Sequence, residues 1–230
     1  MDYQGIFLMH GVGMELAELW AERFDRECTE GGLLVPMPAS YYRAQDQMKL
    51  AVWCVLRGYY QLPTVELVAW LKEYIGDRRA IEIGSGNGVL ARALGIVGTD
   101  SHQQEEADRI AHYKKIQQAV IEYGSDVEKI DALSAIKKHR PEVVLAAWVT
   151  HCYQPDRPAE GGNVDGVDEW KVVKRTGEYV FVGNMGVHRD KPLFRRAYAS
   201  YDLPFLFSRS MMAERNRVWC WRGDKSRPRP

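Results

Sequence analysis

At 230 residues, 46% of them hydrophobic and 27% charged, the chain can bury one substantial core with a modest accessory layer. Its 31 basic and 31 acidic residues cancel, which excludes a global field favouring nucleic acid or an anionic membrane but leaves room for a local basic groove. Cys28, Cys54, Cys152 and Cys220 form no CxxC pair, so reduced thiols in a cytoplasmic protein fit better than a disulfide framework or a zinc ribbon. The opening MDYQGIFLMHGVGMEL lacks a basic leader and a long apolar run, and predicts neither signal peptide nor membrane span.

Residues 1–78 read as a helical cap packed on the same unit as residues 79–222. A first helix is expected from about Gly13 to Arg26, then a loop, 31-GGLLVPMPASYY-42. In 47-QMKLAVWCVLRGYY-60, Met48, Ala51, Val52, Val55, Leu56 and Tyr59 recur at helical spacing. After Leu62-Pro63 the pattern resumes in 64-TVELVAWLKEYIG-76, with Thr64 as N-cap and Gly76 as the residue just past the C-terminus.

From residue 79 to residue 222 short apolar runs alternate with helical stretches, which calls for a mostly parallel sheet with helices on its faces. The runs are AIEIG, IVGTD, VEKID, 142-EVVLAAWV-149 and 178-EYVFVG-183. The intervening helices are GVLARAL, a long one from about Gln104 to Tyr123, ALSAIKKHR and VDEWKVVKR. At the end, 203-LPFLFS-208 and 217-RVWCWR-222 predict an antiparallel strand pair with no helix between them. Residues 223–230 read as a basic, proline-broken, flexible tail rather than a phosphate-binding arm.

The chemistry concentrates at Gly84, Gly86 and Gly88, where a strand turns into a helix. Glycine there lets a ligand approach the backbone and tolerates positive φ, and the helix N-terminus offers free N–H groups. The spacing G-x-G-x-G departs from the dinucleotide fingerprint G-x-G-x-x-G, because Val89 falls at the third position. That disfavours an NAD(P)-dependent oxidoreductase, and no P-loop sequence is present. Packing alone remains a second explanation of the three glycines.

Glu82 with Gly84, Gly86 and Gly88, written E-x-G-x-G-x-G, resembles the first motif of class I S-adenosylmethionine-dependent methyltransferases. Asp100, 18 positions further on, resembles the acidic residue that closes their second strand. The resemblance spans about residues 79–222 and implies a Rossmann-like sandwich whose seven-stranded sheet carries the antiparallel pair. The segments WCVLRGYYQLPTVEL and GVDEWKVVKR look like a methyltransferase-like group from bacteria and their viruses. By this resemblance S-adenosylmethionine would be held by Glu82, Gly84, Ser85, Gly86, Asn87, Gly88, Asp100 and Ser101, with Asp100 accepting from the ribose hydroxyls. Asp131 and Ala132 would meet the adenine; Asp131 serves equally well as the N-cap of ALSAIKKHR. The short linker between the glycines and Asp100 leaves barely two helical turns.

Ligands of open α/β sheets lie beyond the carboxyl ends of the strands. That edge gathers Ser101 and His102, then Thr150, His151 and Cys152, then Asn184 and His188. His151 is a candidate general base or acceptor-orienting group. A zinc or iron site from His102, His151, Cys152 and His188, or ordinary loop histidines, are the alternatives, and the spacing matches no metal-ligand set, so no metal is expected. Tyr41 and Tyr42 are candidates for an aromatic wall on the acceptor, or anchors of helix packing. No Pro-Pro-Tyr/Phe motif follows the fourth strand in 147-AWVTHCYQP-155, which lowers N-methylation of a base and puts a small-molecule acceptor ahead of nucleic acid or protein. The expected activity is methyl transfer to an unidentified acceptor; a non-catalytic module that binds cofactor or partner through the same fold is the rival.

Overall fold

The computed structural model describes residues 13–226. Residues 1–12, most of the stretch on which the expectation about a leader rests, and the last four residues of the tail lie outside them. Helix α1 (Met14–Cys28), the short α2 (Ala39–Arg43), α3 (Gln47–Arg57) and α4 (Val65–Ile75) come first. Asp46 caps α3 by accepting the Lys49 N–H at 3.0 Å, and Gly58 ends it at φ +67°. Thr64 caps α4 through the Leu67 N–H at 3.0 Å, and Gly76 follows at φ +58°.

Then come β1 (Ala80–Ile83), α5 (Val89–Leu94), β2 (Val97–Asp100), α6 (Ala107–Lys115), β3 (Glu128–Lys129), α7 (Ala132–His139), β4 (Val143–Ala147), α8 (Glu169–Arg175) and β5 (Glu178–Asn184). A four-residue turn of helix, α9 (Met185–His188), precedes β6 (Ala199–Tyr201) and β7 (Asn216–Arg222). The seven strands lie in the order β3-β2-β1-β4-β5-β7-β6. All pairs are parallel except those of β7, which runs antiparallel to both β5 and β6. This is the mostly parallel, seven-stranded Rossmann-like methyltransferase sandwich that the sequence predicts.

The two faces are sorted by the period of two along each strand. Val144 and Ala146 of β4 face α7 and α8 together with Tyr179, Phe181, Trp219 and Trp221. Val143 and Leu145 face α4 and α5 together with Val180, Val182 and Val218. α4 is thus a layer helix on the sheet. The helices before it form their own core from Phe24, Tyr42, Leu50, Trp53 and Leu62. Strand order reverses between β1 and β4, so the crevice of the fold opens beside the carboxyl ends of those two strands.

Two segments depart from the expected elements. The long helix from Gln104 to Tyr123 is a 3₁₀ turn at Gln103–Glu105, then α6, and then an extended crossing to β3. Gln117 adopts φ +54°, after which the Ala119 N–H bonds the Val55 carbonyl of α3. The apolar spacing of Ile116 and Val120 therefore serves a traverse under the N-terminal helices, and no residue of α6 is buried. Likewise 203-LPFLFS-208 is not a strand of the main sheet. Phe207 and Ser208 pair with Leu62 and Gln61, and β6 is instead formed by Ala199–Tyr201.

Candidate functional site

A cavity of about 560 Å³ opens along the carboxyl edge of β1, β2 and β4, in the range of small-ligand pockets. Its floor is the glycine turn. Gly84, Gly86 and Gly88 have φ of +60°, +55° and +75°, the left-handed region that an L-residue enters at a cost. A Cβ on Gly84 would overlap Val149 Cγ1, and one on Gly88 would lie 2.7 Å from Val127 Cγ2. At Gly86 the nearest atom is Ile121 Cγ2 at 3.4 Å, ordinary contact. Packing thus accounts for part of the glycine requirement at Gly84 and Gly88, and backbone conformation for all of it at Gly86.

Two buried carboxyl groups flank this floor. Asp100 Oδ2 accepts the Gly86 N–H and Oδ1 the His102 N–H, both at 3.0 Å. Burial pushes its pKa up against the pull of those two donors. Glu82 Oε2 accepts the Ala91 N–H of α5 at 2.9 Å. Burial, opposed by that bond and reinforced by the Asp100 charge, pushes Glu82 up to about 8. Each Asp100 oxygen takes one of the two donors and keeps a lone pair, and the residue lines the cavity, so the carboxylate can accept from a pair of vicinal hydroxyls.

Ser85, Asn87, Ser101, Asp131 and Ala132 also line the cavity, whereas Gly88 lies off its wall. Asp131 Oδ1 accepts the Leu133 and Ser134 N–H groups at 3.0 and 3.1 Å and caps α7, which satisfies the structural reading while leaving the residue on the cavity wall. Thr150 lines the far end.

The other expected residues are engaged elsewhere. His151 is off the cavity wall; its Nε2 lies 2.9 Å from the Glu160 carbonyl, which can only accept, so the ring donates there. His188 is buried against Trp148 and Phe181, its Nδ1 accepts the Asn184 N–H at 3.0 Å, and burial with Lys191 nearby lowers its pKa to about 3. Asn184 spends its side chain on Gly186, Met212 and Asn216. His102 stacks on Tyr123 with centroids 3.9 Å apart and bonds Glu105. Tyr41 bonds Glu27, and Tyr42 is buried among the N-terminal helices. Among the described residues no three His, Cys, Asp or Glu side chains come together to hold a metal ion, and no helix is long and apolar enough to cross a membrane.

The walls that the motifs did not reveal are Tyr60, Gln61, Arg109, His112, Tyr113, Trp148 and Asp165. Trp148 directly follows β4 at φ +58°, and its Nε1–H donates to Gln61 Oε1 at 3.1 Å. Arg109 of α6 and Asp165 of the loop after β4 form an ion pair across the mouth. The one sequence signal was position: Trp148 is the next-to-last residue of the fourth apolar run, and Tyr60 lies just past the glycine that stops α3.

No family model matches the chain, and no curated protein matches it. Solved structures superpose only distantly. An inferred SAM-dependent methyltransferase from Streptococcus mutans matches at TM-score 0.35 and 9% identity, over 67% of this chain and 46% of its own. A Pyrococcus abyssi tRNA (uracil-54, C5)-methyltransferase in complex with S-adenosyl-L-homocysteine matches at 0.34 and 14%, over 68% and 37%. The 23S rRNA methyltransferase ErmE matches at 0.35 and 11%, over 70% and 69%. The chain spans less than half of the first two proteins, and at these scores the superpositions add nothing to the strand order itself. By that order, by its antiparallel β7 and by the glycine turn between β1 and α5, the chain has the Rossmann-like fold of class I methyltransferases.

Proposed function

We propose that the protein binds S-adenosylmethionine in this cavity and transfers its methyl group to an acceptor held at the Thr150 end, a small molecule rather than nucleic acid or protein. The observation that carries the reading is the junction of Asp100 with the glycine turn, a buried carboxylate with spare lone pairs on the wall of a cavity large enough for a nucleoside. Asp100 would hold the ribose, Gly84 to Gly86 the amino-acid end, and Asp131 with Ala132 the adenine side.

Held there, S-adenosylmethionine would supply a methyl carbon on a sulfonium, open to displacement by an acceptor lone pair with the bonding pair left on sulfur. The chain's part is alignment, because an in-line displacement gains most from holding acceptor and methyl in register. Trp148, fixed by Gln61, and Thr150 border the acceptor side. His112 is the imidazole on the cavity wall and replaces His151 as the group placed to take a proton from a hydroxyl or ammonium acceptor. A thermal-shift series tests the reading. S-adenosylhomocysteine should raise the melting temperature by several degrees while NAD does not; no shift with either adenosyl compound, or a shift with NAD alone, counts against it.

A further inference from the structure

Three aromatic side chains from three separate segments meet at one end of the cavity. Tyr60 follows α3, Tyr113 lies in α6 and Trp148 follows β4. The Tyr60 and Trp148 rings are 6.3 Å apart at 49°, and the Tyr60 and Tyr113 hydroxyls are 3.4 Å apart. Their setting is firm. Trp148 is pinned by its indole bond to Gln61, by its backbone N–H to the Val182 carbonyl, and by the His188 ring edge-on at 5.1 Å. Residues next to this wall reach the glycine turn from two segments. On one, Val149 touches Gly84; on the other, Gly58 abuts Val120 and Ile121 reaches Gly86.

An aromatic wall accepts either a cation or a flat ring. Arg209 weighs against a cation at Tyr60. It is 1% exposed, takes no part in the cavity wall, and holds its guanidinium 4.3 Å from the Tyr60 ring. With one cation already on that ring, a second on the cavity side would be repelled, while an electron-rich neutral ring would be favoured. The Tyr60 and Tyr113 hydroxyls supply donors and acceptors at its edge.

Building on the methyl-transfer reading, we propose that the acceptor is a neutral, planar aromatic or heteroaromatic ring with a polar edge group, stacked on the Tyr60–Tyr113–Trp148 wall. A free small molecule and an unstacked nucleobase share this chemistry.

Ligand-observed NMR titrations on the full chain, saturated with S-adenosylhomocysteine, test it. The probes are catechol, indole and adenine, with cyclohexanol and tetramethylammonium as non-planar and cationic controls. The rings should bind and the controls should not. Tyr60→Leu and Trp148→Leu should each weaken ring binding about tenfold, as loss of one stacking partner does, with S-adenosylhomocysteine affinity unchanged. Tyr60→Leu removes a half-buried ring, so the test stands even where Trp148→Leu fails to fold. Binding of free rings assigns a small molecule. Binding of a base-bearing single strand over its abasic counterpart and over free rings assigns a nucleobase. Equal binding of cyclohexanol or tetramethylammonium overturns the proposal, as does absence of ring binding to protein that binds S-adenosylhomocysteine. Should S-adenosylhomocysteine not bind, the methyl-transfer reading falls, and the same titration of the unloaded chain still decides the aromatic wall.

Discussion

The carboxylate of Asp100 accepts the backbone N–H of Gly86 at 3.0 Å, so the acidic end of β2 and the middle of the glycine turn are one hydrogen-bonded unit. Its second oxygen does the same for His102. The residue proposed to hold a ribose therefore also holds the floor of the cavity.

Asp100→Ala removes both acceptors and orphans two buried N–H groups, each worth about 1–3 kcal/mol. The expected result is a melting temperature lower by several degrees together with at least tenfold weaker binding of S-adenosylhomocysteine. Calorimetric unfolding and titration of the same sample separate the two effects. Unchanged affinity in a folded variant counts against the ribose role.

Glu82 should make stability depend on pH. Its folded pKa of about 8 lies above the ordinary value of 4.5. Between these values the folded state keeps a proton that the unfolded state has lost. The contribution is therefore complete below pH 4.5 and fades as pH rises to about 8, by about 1 kcal/mol per pH unit. Glu82→Gln keeps an acceptor for the Ala91 N–H and should flatten the curve of melting temperature between about pH 5 and 8. A parallel curve would show that the group ionises normally in the fold.

Gly84→Ala and Gly86→Ala impose the same left-handed strain, about 1–2 kcal/mol, and differ in packing. At Gly84 the new methyl overlaps Val149 Cγ1; at Gly86 it meets Ile121 at 3.4 Å. Gly84→Ala should destabilise more, and Val149→Ala should restore part of the difference. A double-mutant cycle with no coupling would contradict the contact.

Lys191, 3% exposed, donates to Glu169 at 3.0 Å and to the Val149 carbonyl at 2.8 Å, while Glu169 also accepts from Tyr179. Burial lowers the lysine pKa, and the Glu169 charge opposes that shift. Lys191→Met leaves a buried carboxylate short of a partner and should cost about 3–5 kcal/mol. Pairing it with Glu169→Gln should recover much of the loss in a denaturant titration; an additive double mutant would count against a paired charge.

The sheet and the glycine-turn side of the cavity were legible because they are local. Apolar runs such as VVLAA carry the strands, Thr64, Asp131 and the glycines mark helix ends, and Glu82 with Asp100 fall at strand ends. The aromatic side was not, because Tyr60, Tyr113 and Trp148 meet only through the fold. Ile116 and Val120 misled at another level. Their helical spacing fits a traverse beneath α3, where the Ala119 N–H bonds Val55. His151 sat on the expected edge by strand topology, but Gly162 and Gly166 let the loop fold close over it and turn its ring to Glu160. In LPFLFS a strand-like composition satisfied a two-residue ladder with Gln61–Leu62 rather than the main sheet.

The most direct measurement is isothermal titration of the purified protein with S-adenosylmethionine, S-adenosylhomocysteine and NAD, repeated on Asp100→Ala. Saturable binding of both adenosyl compounds at one site per chain, lost or at least tenfold weaker in the variant, with no binding of NAD, is the predicted result. Binding of NAD alone, or no binding of either adenosyl compound to folded protein, would contradict a methyl-donor site at the glycine turn.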